Sequence, residues 1–231
     1  MKCLLPFLLI LVLLTYGCKK VDSSDLKDDV PYYQSYEVGF DKTLGSPSAM
    51  ASYKIREANG ARVSLENGAG VSANGTSPTT DFLDKTLYRW NFSGTPDVNF
   101  ILTKNSGAKI NNTIAFSDIS NTDFAAGFPT AASKASGFSF NWTGDAVGAT
   151  ETLNITISTP DSGSIAMKTL TQSNSSNTVT FSSAEMVNVK PGQLTVELSR
   201  RRDMALDNAD GTASGTMAVR LAVRKTLTLN P

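Results

Sequence analysis

Met217-Ala218-Val219-Arg220-Leu221-Ala222-Val223-Arg224-Lys225-Thr226-Leu227-Thr228-Leu229 decides the fold of this chain. Its odd positions are apolar except Lys225, while Arg220, Arg224, Thr226 and Thr228 occupy even ones. A period of two sends odd side chains to one face of a strand and even ones to the other. On a helix the same positions would scatter around the axis, so the stretch reads as a strand half-buried on a core. It exceeds the common strand length of about 5–6 residues. That predicts a bend or bulge at Lys225, where the apolar phase breaks.

The same period recurs upstream. Tyr88, Trp90 and Phe92 share a phase, as do Val98, Phe100 and Leu102. So do Phe138, Phe140 and Trp142, then Leu153, Ile155 and Ile157, then Leu194, Val196 and Leu198. Turn formers separate the runs, among them Asn67-Gly68, Asn74-Gly75, Pro160-Asp161 and Asp210-Gly211. The expectation is an all-β fold with little helix: an antiparallel β-sandwich, immunoglobulin-like, of about ten short strands. One short helical turn is expected within residues 124–135.

The amino terminus is read separately. Lys2 precedes an apolar run from Leu4 to Leu14 that is too short to span a bilayer, for which about 20 residues are needed. It has the form of a secretory leader. The run ends at Thr15-Tyr16-Gly17-Cys18, followed by Lys19-Lys20. Gly17-Cys18 resembles the lipobox of bacterial lipoproteins, in the form found in Bacteroidetes-type bacteria. The resemblance implies cleavage between Gly17 and Cys18 and a covalent lipid on the Cys18 thiol. Two or three acyl chains on one cysteine would make a lasting anchor. Lys19 in the following position favours the outer membrane. The expected organisation is a signal peptide over 1–17, an acidic and polar tether over 18–48, and a β-sandwich domain over 49–231. Two small β domains divided near residue 130 are the alternative. The tether reading rests on Asp22, Asp25, Asp28, Asp29, Pro31 and Pro47, although Tyr32, Tyr33, Tyr36 and Phe40 could dock its end as a first strand.

Composition narrows the chemistry. The 231 residues contain no histidine, which removes Ser-His-Asp and Cys-His mechanisms and the usual catalytic zinc sites. Cys3 falls in the leader and Cys18 takes lipid, so no disulfide or cysteine metal site is expected. The 21 basic and 21 acidic residues balance, with no sign of a nucleic-acid partner. Arg200-Arg201-Arg202 could grip an anion, and Asp203, Asp207 and Asp210 could enclose calcium. Trp90 and Trp142 could stack on sugars, but their phase points to the core. Glu57, Glu66, Glu151, Glu185 and Glu197 form no evident catalytic pair.

The expected function is that of a non-enzymatic cell-envelope lipoprotein, on the surface or periplasmic face of the outer membrane. Its β-sandwich would serve in binding, with glycans as one ligand class, or in envelope assembly. Its expected partners are the membrane, through the anchor, and a polysaccharide or a protein. No cofactor is expected beyond the lipid on Cys18. A fimbrial or adhesin-type structural subunit and a carboxylate-dependent glycoside hydrolase are the alternatives.

Overall fold

A computed structural model describes residues 19–80, 84–160 and 163–231. The lipidation and cleavage positions Gly17 and Cys18 lie outside the described residues, as does Asp161 of one expected turn. The chain is all-β, with several sheets and almost no helix. In order, the strands are β1 (Lys20–Asp22), β2 (Tyr32–Asp41), β3 (Ser46–Ile55), β4 (Arg62–Ser64), β5 (Gly70–Ala73) and β6 (Thr79–Thr80). Then come β7 (Leu87–Asn91), β8 (Val98–Thr103), β9 (Lys109–Ile114), β10 (Thr122–Phe124), β11 (Ala131–Ser133) and β12 (Phe138–Gly144). The last are β13 (Glu151–Thr159), β14 (Gly163–Leu170), β15 (Thr178–Phe181), β16 (Gly192–Met204) and β17 (Gly215–Asn230). Residues 124–135, expected to hold a helical turn, instead carry the end of β10 and the whole of β11.

One long sheet runs β1-β4-β3-β2-β17-β16-β13-β14, with β7, β6 and β11 joined at its flanks. Two small sheets, β5-β8-β9 and β10-β12-β15, build the second layer. The hinge of the design is β17. It pairs with β16 from Met217–Met204 to Leu229–Gly192 in one unbroken register. The bend expected at Lys225 is therefore absent; the long sheet's register shift falls between Ile157 and Ser158 of β13. Length is tolerated in β17 because strands flank most of it on both sides.

Two cores use the same phase of β17. Met217, Val219 and Leu221 enter the first, with Tyr36, Tyr53, Trp90 and Phe100. Val223, Leu227 and Leu229 enter the second, with Trp142, Leu153, Ile155, Phe181 and Leu198. Phe100 stacks on Tyr36 at 4.6 Å and meets Trp90 edge-on at 5.7 Å. Phe138 stacks on Phe181 at 5.5 Å. The chain passes from one core to the other between Ile119 and Phe124, ahead of the expected division near 130, and β17 closes both.

Two further expectations are corrected. The tether was expected to reach residue 48, yet Tyr32–Asp41 forms β2, hydrogen-bonded between β3 and β17. Tyr32, Gln34, Tyr36 and Val38 supply its buried face, so alternation outweighs the acidic run before it. Lys20–Asp22 also pairs with β4. Second, the pairing is mixed: β2 runs parallel to β17, and β11 does too. The immunoglobulin plan uses two antiparallel sheets, and the long shared sheet seen here differs from it. The Asn-Gly turns behave as read. Asn74 and Gly75 both take positive φ, 50° and 74°, closing a two-residue hairpin at the Ala73–Thr76 bridge.

Candidate functional site

The arginine triplet lies inside β16, not at its end, so its members alternate. Arg200 is enclosed and donates to Glu151 at 2.5 Å and to the Asp145 and Ala146 carbonyls at 2.8 Å. Arg201 points to the opposite face and pairs with Glu37 and Asp203. Burial works against its charge, but Glu37 and Asp203 outweigh that and raise its pKa. Arg202 donates to the Asp118 carbonyl. Protein groups take all three, and none forms a shared anion site.

The acidic loop is likewise spent on structure. Asp207 accepts the Thr113 N–H at 2.8 Å. Asp210 takes Lys104 at 2.9 Å and the Tyr32 N–H at 2.7 Å. With Asp203 on Arg201, the three carboxylates serve three separate partners. Among the described residues no cluster of three or more His, Cys, Asp or Glu is set to hold a metal ion. Trp90 and Trp142 are buried, and their indole N–H groups donate to the Thr76 and Ser176 carbonyls. Of the scattered glutamates, Glu185 pairs with Lys168, and Glu197 with Arg220 and Arg224. The Lys168 hydrogen bond, with those from Ser182, holds Glu185 down to about 2.

The outward face of the long sheet carries the remaining polar groups. Arg220 and Arg224 stand four positions apart in one phase of β17, with Ala222 between them, and both are bound to Glu197 at 2.7 Å. Arg224 also reaches Asp41 at 2.5 Å. Between them the surface dips into a notch of about 90 Å³ over Gly39, Ser48 and Ala222. The notch exists because these residues are small. A Cβ on Gly39 would lie 3.7 Å from Ser48 Oγ, in ordinary contact, and a side chain there would fill the space.

Arg224 also lines a second and larger space. β2 follows β17 as far as Ala222, and β11 joins it from Thr228. Over residues 223–227 no strand among the described residues covers that flank of β17. The β2–β3 turn bridges the opening at one point, where Thr43 Oγ1 accepts the Arg224 N–H at 2.8 Å. On the other side Thr130 accepts the Thr228 N–H at 2.9 Å. The result is an open cleft of about 570 Å³, within the usual range for ligand sites of roughly 300–1,000 Å³. Thr43, Thr130, Thr195 and Thr226 give it hydroxyls, Phe128 a ring, and Arg224 and Lys225 positive charge. None of these lining residues is acidic.

No protein family and no curated protein matches the chain. Among solved structures it is similar to a tetra-tandem repeat in the extending region of a large adhesion protein. That likeness has 12% identity and a TM-score of 0.26, over 85% of this chain and 49% of the other. The chain thus spans about half the length of that structure.

The cleft was not among the sites expected from sequence. Its signal was present at Lys225, the one charged residue in the apolar phase of β17. The core does not extend under that position. Lys225 stays exposed between buried Val223 and Leu227, with Nζ 5.6 Å from the ring centroids of Phe124 and Phe128.

Proposed function

We propose that this chain is a lipid-anchored cell-envelope protein that captures a glycan, without catalysis, in the cleft along β17. The observation that carries this reading is the uncovered flank at residues 223–227, lined by hydroxyls, a phenyl ring and cations. Hydroxyl and cationic donors suit a polyol, and an aromatic ring suits the apolar face of a sugar. Arg224 joins the cleft to the Gly39 notch, and from Arg220 to Thr226 β17 extends about 20 Å. That length suits a chain of sugars better than a single one.

The anchor fits the same reading. The Lys19 carbonyl already accepts the Arg62 N–H, so a lipid on Cys18 would hold the β1 edge close to the bilayer. Four strand spacings separate β1 from β17 along the sheet, about 19 Å, which keeps the cleft clear of the headgroups. A structural subunit that donates its last strand would have to free β17, which is held by β16 throughout and by β2 and β11 on its other flank. A carboxylate-dependent hydrolase would need two acidic groups across one cleft.

Affinity electrophoresis of the purified protein in gels carrying a panel of polysaccharides tests the reading. Retardation by at least one polymer is expected, and Thr226→Trp, which plugs the cleft from an exposed strand position, should abolish it. Free migration in every gel, or unchanged retardation of the tryptophan variant, rejects the proposal.

A further inference from the structure

Resting on that reading, we infer that the cleft selects an anionic glycan and that Lys225 reads its charge. The two cations at the cleft are not equivalent. Arg224 is committed, with Asp41 at 2.5 Å and Glu197 at 2.7 Å. The Lys225 side chain makes no ion pair or hydrogen bond among the described residues; its neighbours are the faces of Phe124 and Phe128. Those rings hold the ammonium from beneath by their negative faces. Its three N–H donors are left to the cleft.

The position makes the charge informative. Lys225 pairs in register with Val196, which is fully buried, and lies in the phase that the core uses on either side. A threonine there would continue the hydroxyl lining at no electrostatic cost. The cleft instead carries a cation where no lining group is acidic, held over two aromatic rings. An entering carboxylate or sulfate meets that charge with no acidic lining group to repel it, and the attraction weakens as salt rises. The threonine hydroxyls around it are matched to sugar hydroxyls. The ligand class is therefore a polysaccharide bearing uronate carboxylates or sulfate esters, with the acidic group seated on Lys225.

The same electrophoresis, with three polymers, separates the possibilities: polygalacturonate for carboxylates, dextran sulfate for sulfate esters, and unmodified dextran as the neutral arm. Wild-type protein should be held about tenfold more tightly by one polyanion than by dextran, the scale of one charged hydrogen bond, and less so as salt rises. Which polyanion wins identifies the acidic group. Lys225→Gln should erase the preference and Lys225→Arg should restore it. Both variants change an exposed side chain and should keep the wild-type thermal midpoint. Equal retention by dextran and the polyanions, unaffected by Lys225→Gln, overturns the charge assignment while leaving glycan capture intact. Retention by none of these three but by another polymer of the panel overturns the charge assignment alone, and retention by no polymer of the panel, including the case where only anionic lipid vesicles bind, overturns both.

Discussion

Arg200 and Glu151 meet at 2.5 Å with the arginine side chain fully enclosed and the glutamate nearly so. Arg200 stands opposite Leu153 in the β13–β16 register, on the face that both cores share. Its further bonds to the Asp145 and Ala146 carbonyls fasten the loop before β13 over the second core. Removing one partner of a buried pair strands the other charge, at a cost of about 3–5 kcal/mol. Glu151→Gln is accordingly expected to lower the unfolding free energy by about 3 kcal/mol in urea titrations at pH 7. Replacing both groups, Arg200→Met with Glu151→Leu, should recover most of the loss. A double variant as unstable as the single one would show that the carbonyl bonds of Arg200, not its ion pair, hold the loop.

The same pair sets part of the acid limb. Burial opposes ionisation of Glu151, but the Arg200 hydrogen bond and charge, with the Gly148 and Ser120 backbone, outweigh it and hold the carboxyl below its ordinary 4.5. A depressed carboxyl contributes stability that is complete above its unfolded pKa and is lost as pH falls through the folded one. The gap between wild type and Glu151→Gln should therefore be constant from pH 7 to about 5 and shrink below about 4.5. Urea midpoints at half-unit pH steps would show it. A gap that stays constant to pH 2 would assign the cost of the variant to packing.

Lys104 and Asp210 make a second buried pair, 106 positions apart in sequence. Asp210 also accepts the Tyr32 N–H, while Lys104 donates to the Val30 carbonyl and lies 4.8 Å from the Tyr32 ring centroid. One pair thus ties the β16–β17 loop to the entry of β2. Lys104→Met should leave Asp210 with one donor fewer and cost about 3 kcal/mol. Its local mark is faster hydrogen exchange at the Tyr32 amide than at amides in the middle of β2. Unchanged exchange there would mean that the loop docks without the lysine, through Asp207 and Asn208.

These pairs show what was legible in the sequence and what was not. β8, β12 and β13 follow from alternation because apolar residues fill the inward positions in their middles, and β16 and β17 because the inward phase is broken only at Arg200 and Arg202 in the one and at Lys225 in the other. β2 was obscured by Gln34, a polar side chain at an inward position, and by the aspartates and proline before it. In the fold Gln34 is buried and answered by Tyr36 Oη at 2.8 Å and Asn112 at 3.2 Å. A buried amide is tolerable once its bonds are made, but those partners are tertiary. The triplet at Arg200 was visible as charge, while its alternation between core and surface required knowing that β16 continues through it. The cleft was least legible. Thr43 and Phe128 come from a turn and a loop that reach β17 only after folding, and no local pattern links them.

Gly39 offers a test in which stability and binding should move in opposite directions. It lies mid-strand in β2, where glycine has little to pack and loses more backbone freedom than other residues. Its Cβ direction is open except for ordinary contact with Ser48 Oγ. Gly39→Val should therefore stabilise the protein by about 0.5–1 kcal/mol, read as a raised urea midpoint. The same side chain fills the notch beside Arg220 and Arg224, so retardation by a bound polysaccharide should weaken. A stabilised variant with undiminished retardation would confine the glycan to the cleft at Lys225.

The proposed membrane attachment through Cys18 makes the most separable prediction. With the β1 pairing beginning at Lys20, almost no chain lies between the proposed lipid and the fold. Loss of the lipid should then change location without changing stability. In cells fed a clickable fatty acid, wild-type protein should be labelled and sediment with membranes. Cys18→Ser should be unlabelled and stay in the soluble fraction, yet keep the wild-type urea midpoint once purified. Two or three acyl chains hold a protein far more firmly than one, so a wash in high salt should not release the wild type. Equal labelling of both proteins, or release of the wild type by salt, would remove the anchor. The β-fold would stand unchanged, but its distance from the bilayer would no longer be fixed.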